Sequence, residues 1–296
     1  MVAVPCVVCG TSEALPLFVR PDLMMGLPGK FRFVRCRRCG FEYLNPRPAE
    51  IGAWYPPQYT DCLANSSLSI LARWRLRRRA AWAHEAVRGT TGRVLEIGCG
   101  DGGFLQELRN LGMDAEGLDF SPTAVGLARR RGLQVQQGSV EDAGYPAECF
   151  DLVVMRHVLE HLRNPAAALG IVRGWLRPGG HVMIEVPNWD SLQRRVFGRF
   201  WHGYDSPRHF FAFAPKDLET LFGVCGFRVV WLRQLFCPGS WVNSFQSLAA
   251  GWGFTRPGWG TRPARVGPVT FALYLPALAE VVLRRAGIMV ALATRQ

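Results

Sequence analysis

Val94-Leu95-Glu96-Ile97-Gly98-Cys99-Gly100-Asp101-Gly102 decides the fold of this chain. A short apolar run reads as a buried strand that carries an acid near its carboxyl end. It breaks into alternating glycines and then into an amphipathic run from Phe104 to Leu111. Glycine lets a backbone turn sharply and approach a ligand where any Cβ would collide. The carboxylate of Glu96 can accept hydrogen bonds from an amine or from bound water. Open α/β sheets grip adenosine-containing cofactors with such a strand, turn and helix.

Gly98, Gly100 and Gly103 also satisfy the G-x-G-x-x-G spacing of dinucleotide-binding folds, so the turn alone leaves a nicotinamide cofactor open. Its neighbours separate the readings. A second strand, Ala115 to Leu118, ends in Asp119, 21 residues after Gly98, where an acid can bind both hydroxyls of a ribose. A third, Leu133 to Gln137, runs into Gly138-Ser139-Val140-Glu141-Asp142. A fourth, Cys149 to Met155, leads into Arg156-His157-Val158-Leu159-Glu160-His161, and Leu176-Arg177-Pro178-Gly179-Gly180 turns into a fifth, His181 to Val186.

In order and spacing, the set from about Arg93 to Phe227 resembles the class I S-adenosylmethionine-dependent methyltransferases. The alternation of strands and helices predicts an α/β, doubly wound sheet. The resemblance adds seven mostly parallel strands in a Rossmann-like arrangement, the last antiparallel. Phe227 to Leu235 and Gly287 to Arg295 read as the sixth and seventh. The resemblance further implies that Glu96, Gly98, Cys99 and Gly100 line the methionine portion of S-adenosylmethionine and that Asp119 takes the ribose hydroxyls. Phe120 would lie against the adenine, with Val140 and Glu141 at the base edge and Arg156 among the cofactor-facing residues. Ser139 departs from the pattern, since many relatives carry Asp there; adenine recognition is then expected to lean on backbone near Val140 and Glu141.

The chain of 296 residues accommodates one full α/β domain and an appended module. Expected units are 1–60, a zinc ribbon with a Pro- and aromatic-rich tail; 61–91, a helical linker; 92–236, the catalytic core; 237–286, an apolar insertion; and 287–296, the last core strand. The net charge of +12 comes almost wholly from arginine, the only lysines being Lys30 and Lys216. A basic chain can favour nucleic acid, anionic lipid or phosphorylated substrates; a widely spread solvated face is the plainer account. Nine cysteines and an amino terminus without a charged-then-apolar leader pattern suit a reducing, cytoplasmic setting, with membrane association as a variant. Cys62, Cys99, Cys149, Cys225 and Cys237 sit singly among apolar residues and read as small buried side chains.

Cys6-x-x-Cys9-Gly10 and Cys36-x-x-Cys39-Gly40 are two knuckles separated by 26 residues. Each pair can aim both sulfurs at one ion, and together they predict a structural, four-thiolate zinc site. Fewer than sixty residues bury little apolar surface alone, so the ion would staple the module. Phe31 to Arg35 alternates like one strand of a hairpin between the knuckles. Leu44 to Pro48 and Trp54 to Tyr59 are rich in proline and aromatics and read as extended, non-helical chain. The arrangement resembles small-molecule methyltransferases, some acting on nucleotide-linked sugars, in which such a module covers the substrate side. A helix over 66–88, with Leu68, Leu71, Trp74, Trp82 and Val87 as its apolar positions, is expected to pack onto the catalytic domain.

Transfer from a sulfonium needs alignment of nucleophile, carbon and leaving sulfur more than covalent help, and a hydroxyl acceptor also needs its proton removed. His202, Tyr204 and His209 follow the fifth strand on the acceptor side. His209 is read as base or acceptor-positioning group, with Tyr204 as its companion; a histidine packed between Phe210 and Phe213 is the alternative. His157-Val158-Leu159-Glu160-His161 spells H-x-x-E-H, a string also found in zinc peptidases. Its apolar residues look like core contacts, so His161 is read as a capping or packing residue, and a divalent ion held there is left as an alternative.

Between the sixth and seventh strands lie Trp241, Trp252 and Trp259 and an apolar run from Val269 to Leu283, interrupted by Pro276 and Glu280. It is too short and marked for a membrane span. A helical insertion is one reading, and a flap touching lipid or a lipid-linked substrate through 269–283 is the other. The expected acceptor is therefore a small or conjugated metabolite: a sugar, a polyketide-like compound or a lipid-linked molecule. RNA is the alternative acceptor, which the arginines and the ribbon would hold.

Overall fold

The computed structural model describes residues 1–56, 70–90, 92–258 and 272–296. Two sheets organise them. The amino-terminal sheet has the order β1-β2-β3-β9, all antiparallel, from Ala14–Arg20, Phe31–Cys36, Glu42–Leu44 and Phe211–Ala212. The larger, seven-stranded sheet has the order β10-β11-β8-β7-β4-β5-β6. Its strands are β4 (Arg93–Ile97), β5 (Asp114–Asp119), β6 (Val135–Gln137), β7 (Phe150–Arg156), β8 (Leu176–Pro187), β10 (Phe227–Leu235) and β11 (Ile288–Arg295). β11 runs antiparallel to both neighbours, and β4 to β8 pair in parallel. The topology is the doubly wound, mostly parallel sheet that the strand–helix alternation predicts.

Side chains alternate across this sheet, as a period of two requires. Val94, Leu152 and Val154 point into one core with Ala80, Ala83 and Val87. The first two alanines belong to helix α1 (Ile70–Ala86), which packs beside α2 (Gly103–Asn110). Leu95, Ile97, Val153 and Met155 point into the other core, which continues without a break into Phe33, Phe41 and Tyr43 of the amino-terminal sheet. One face of the seven-stranded sheet is thus covered by α1 with α2 and residues 122–130, and the other is continuous with the cysteine-bearing module. Helices α3 (Pro122–Arg130), α4 (Pro165–Trp175) and α6 (Pro215–Val224) begin at prolines, whose fixed φ and missing N–H suit a first helical turn.

Some local expectations shift. The Pro- and aromatic-rich stretch is not wholly extended: Gly52–Trp54 makes one 3-10 turn, because the first proline of its tail comes only at Pro56. Trp74, expected as an apolar packing position, is half exposed; the Arg78 guanidinium lies over its ring and that of Trp82, at 5.3 and 5.4 Å. The insertion after β10 contains helices α7 (Pro238–Gly251) and α8 (Tyr274–Val282), following the short α5 (Leu192–Phe197) that precedes the β9 segment. The expected first turn of the linker helix with Leu68, the tail from 57 to Tyr59, Cys62, Trp259 and positions 269–271 of the apolar run lie outside the described residues.

Candidate active site

β4, β5, β7 and β8 bring their carboxyl ends together, and the turn after β4 is forced by packing. Gly98 has φ of 70°, and a Cβ there would fall 2.4 Å from a methyl of Val158. Only glycine fits. Beneath the turn the Cys99 side chain packs on Gly117, where an added Cβ would meet its sulfur at 2.7 Å. Burial pushes that thiol up, so Cys99 contributes shape rather than a thiolate.

Glu96 is 1% exposed. Its Oε1 lies 3.6 Å from Arg156 Nη1, while Oε2 is buried with no hydrogen-bond partner among the described residues. Burial pushes the carboxyl up to about 8, and the single guanidinium contact does not offset that desolvation. Arg156 itself sits between Glu96 and Glu185, 3.7 Å from the latter, and over the Phe104 ring at 4.6 Å. Asp119 is anchored by two amides: Gly100 N donates to Oδ2 at 2.8 Å and Ser121 N to Oδ1 at 2.9 Å. Each oxygen keeps a lone pair for a further donor. An orphaned buried carboxylate oxygen, a turn that admits only glycine and a fixed acid at the end of β5 fit S-adenosylmethionine, with Glu96 toward an amine and Asp119 toward hydroxyls.

Phe120, expected against the adenine, is 56% exposed and meets the Tyr55 ring edge-on at 5.7 Å. Val140 is buried and Glu141 exposed. The Ser139 hydroxyl donates to Asp142 Oδ2 at 2.7 Å. A carboxylate three residues further on therefore stands beside the departure from the family pattern, which inspection of position 139 alone could not reveal.

The histidines expected on the acceptor side are assembled from long-range partners. His161, in the single turn Leu159–His161 after β7, holds Nδ1 at 2.9 Å from the Arg208 carbonyl and 2.8 Å from the Tyr55 hydroxyl. Burial, reinforced by the nearby His209, lowers its pKa to about 4. His209 is buried, with Nδ1 2.8 Å from the Gly203 carbonyl and its ring 4.6 Å from that of His161. His209, read as base or acceptor-positioning group, is thus paired with a second histidine ring. Tyr55, unremarked in the sequence, is brought by the amino-terminal tail onto both Phe120 and His161.

Tyr204 is not brought to this group. Its hydroxyl donates to Glu42 Oε2 at 2.6 Å and accepts from Arg194 Nε at 3.2 Å, within an aromatic cluster of Phe18, Phe33 and Trp201. Tyr204, expected as the companion of His209, is a fully buried phenol whose pKa is raised by burial and the Glu42 carboxylate, and it ties the amino-terminal sheet to the loop. His202 likewise turns inward, its backbone N–H donating to Ser244 Oγ at 3.1 Å and burial lowering its ring to about 3.

Arg208 fastens the same loop. It is fully buried, donating to Asp205 at 2.8 and 2.6 Å, to Asp22 at 2.9 and 2.7 Å and to the Trp54 carbonyl at 3.2 Å. Three segments far apart in sequence meet at one guanidinium. At the far end of the amino-terminal sheet, Cys6 and Cys39 sulfurs stand 3.6 Å apart and those of Cys9 and Cys36 3.4 Å. Four sulfurs around a zinc with arms of ~2.3 Å stand roughly 3.8 Å apart, so the set fits a tetrahedral ion. Gly10 and Gly40, at φ of 76° and 77°, close the two knuckles by donating to the Cys6 and Cys36 carbonyls.

Comparison with known proteins places this geometry. A family model described as a methyltransferase domain matches residues 71–232. The ubiquinone biosynthesis O-methyltransferase of Aeromonas salmonicida is 32% identical over 118 residues, 37% of this chain and 50% of that protein. The chain thus spans about half the length of the curated relatives it matches. Among solved structures, a SAM-dependent methyltransferase from Archaeoglobus fulgidus superposes with a TM-score of 0.52 at 20% identity, covering 75% of this chain and 94% of that one. The [4+2]-cyclase SpnF superposes at 0.54 with 18% identity, covering 84% and 96%. At such identities the likeness is one of fold, and the cyclase illustrates that the fold does not fix the reaction.

Proposed function

The chain belongs to the methyltransferase-domain family, and on that premise we propose that it is an S-adenosylmethionine-dependent methyltransferase whose acceptor is an oxygen of a small or conjugated metabolite. The observation that carries this reading is the position of Tyr55, which sets the amino-terminal tail against both Phe120 and His161. The relatives named for O-methylation in ubiquinone biosynthesis support oxygen and leave sugars and polyketide-like compounds within the same class. RNA is less favoured, because the arginine cluster of α1 is partly consumed internally: Arg79 is buried against Glu185 and Arg77 reaches Glu107.

The cofactor supplies an activated methyl group for in-line displacement. Glu96 receives its amine, Asp119 its ribose, and Phe120, Val140 and Glu141 flank its base. His209 positions the acceptor or takes its proton, with Nδ1 tied to Gly203 and Nε2 left free of that bond. Alignment of this kind can lower a barrier by about 7 kcal/mol or more. The four cysteines hold a structural zinc that staples the module supplying Tyr55. A peripheral lipid contact is part of the proposal: Leu275 and Val282 on α8 are 74% and 75% exposed, and Leu278 lies on the same stripe. No helix among the described residues is long and apolar enough to cross a membrane.

Incubating the protein with labelled cofactor and fractionated cell extract, then identifying the product by mass, tests the acceptor. Label in a small hydroxylated or lipid-linked compound supports the reading, and label in RNA overturns it. His209→Ala should spare cofactor binding and depress turnover; unchanged turnover removes His209 from the chemistry.

A further inference from the structure

Within the arginine cluster of α1, Arg79 is buried, and neither methyl transfer nor the acceptor gives it a task. We propose that Arg79 and Glu185 are positioning residues that set, through Arg156, how readily Glu96 carries the charge that receives the cofactor's amine. Such control presupposes that Glu96 faces that amine, as proposed above.

The register of the seven-stranded sheet builds the connection. β4, β7 and β8 lie side by side, with Glu96 opposite Val154 and Arg156 opposite Glu185. Residues two apart on a strand share a face. Glu96 therefore follows Val94, Arg156 follows Val154 and Glu185 follows Met183 on the face that α1 covers. Arg79 reaches Glu185 from α1: its Nη2 donates to Oε1 at 2.7 Å, and its Nε lies 2.6 Å from Oε2. Beyond Glu185, Oε2 is 3.7 Å from Arg156 Nε, and Arg156 Nη1 is 3.6 Å from Glu96 Oε1. Charges of alternating sign thus run from the helix to the cofactor acid.

Arg156 is the movable member. It is shared between two buried carboxylates, and its buried Nε makes no hydrogen bond to a described residue. Burial opposes ionisation of Glu96, as do the nearby Asp119 and Asp101, and Arg156 is the charge that favours it. Glu185 competes for that guanidinium. Despite its burial, Arg79 and His157 hold the Glu185 carboxyl well below the ordinary range, so it stays ionised. His157 Nε2 lies 3.3 Å from Glu185 Oε1, and its Nδ1 lies 3.2 Å from Glu160 Oε1. Arg79 satisfies Glu185 and leaves Arg156 freer to neutralise Glu96; without Arg79, Glu185 would draw Arg156 away.

Calorimetric titration of the full-length protein with S-adenosylhomocysteine, which keeps the cofactor's amine, at pH 7 and at pH 8.5 tests the relay. With Glu96 at about 8, the wild-type Kd should fall about eightfold between the two. His157 is lowered by burial but raised to about 9 by its bonds to Glu160 and Glu185, so it keeps most of its charge in that window. Glu185→Gln should shrink the ratio to about threefold or less, because Arg156 then serves Glu96 alone. Arg79→Met should enlarge it to about fifteenfold or more. The double variant leaves neither member of that pair buried without its counter-charge, so its ratio decides alone should a single variant not fold. If Arg79 acts only through Glu185, the double variant matches Glu185→Gln; two independent charges would instead cancel and restore the wild-type ratio. Unchanged ratios in both single variants, or a double variant at the wild-type value, overturn the relay. A wild type that binds S-adenosylhomocysteine with a flat profile overturns it too, whereas one that binds none overturns the cofactor reading beneath it.

Discussion

Arg208→Ala should destabilise the protein far more than any exposed arginine substitution. The guanidinium makes four charge-assisted bonds of 2.6 to 2.9 Å to Asp22 and Asp205, all three side chains being buried. At about 1.5 to 3 kcal/mol each, the gross interaction exceeds the measured net cost of such deletions. Desolvation already spent on the two carboxylates brings the net loss on breaking a buried pair to about 3 to 5 kcal/mol. For a chain of this size that corresponds to a fall in Tm on the order of 10 °C. Arg163→Ala provides the contrast, because Arg163 pairs at 3.0 Å with Glu50, whose side chain is 86% exposed. A surface pair contributes at most about 1 kcal/mol, a shift of a few degrees at most. Differential scanning calorimetry of both variants decides the matter. Equal small shifts would refute the reasoning.

Cofactor affinity should rise with pH. Burial raises Glu96 to about 8, so the folded chain holds an extra proton between its ordinary range and pH 8, and any stability from that proton is lost as pH rises through 8. A cofactor amine favours the carboxylate form, so binding below pH 8 must expel the proton. Affinity should improve by up to about tenfold per pH unit and then level off; binding heats independent of buffer ionisation would count against it. Asp119→Ala removes the acceptor of two backbone amides and should weaken cofactor binding by about a hundredfold or more, measured by calorimetry. Cys36→Ser should lose zinc by metal analysis and lower the melting temperature, whereas a metal-free wild type that melts unchanged removes the ion from the fold.

What could be read from the sequence was local. The turn after β4 and the acid closing β5 announce themselves through adjacent residues, because strand, glycine and helix follow within a few positions. The acceptor side was only half legible. His209 could be singled out by residue type, but its partner His161 lies 48 positions earlier, and its contact is set by carbonyls of Gly203 and Arg208. The partner of Tyr204 was hidden for the same reason: nothing near it announces Glu42, 162 residues away, as the acceptor of its hydroxyl. Nothing adjacent to Asp22 in the chain announces that tertiary packing buries it with Asp205 and Arg208. Strand β9 is two residues long, too short for alternation to reveal.

That short strand has a consequence for anyone who would transplant parts of this protein. Phe211 and Ala212, borrowed from the far side of the chain, form the last rung of a ladder begun by Tyr43 and Glu42. A cut made after the cysteine knuckles would therefore leave one fragment with a raw edge and the other with an unmoored histidine loop. Chimaeras that exchange the front piece between homologous enzymes should work only when the stretch around Phe211 travels with it.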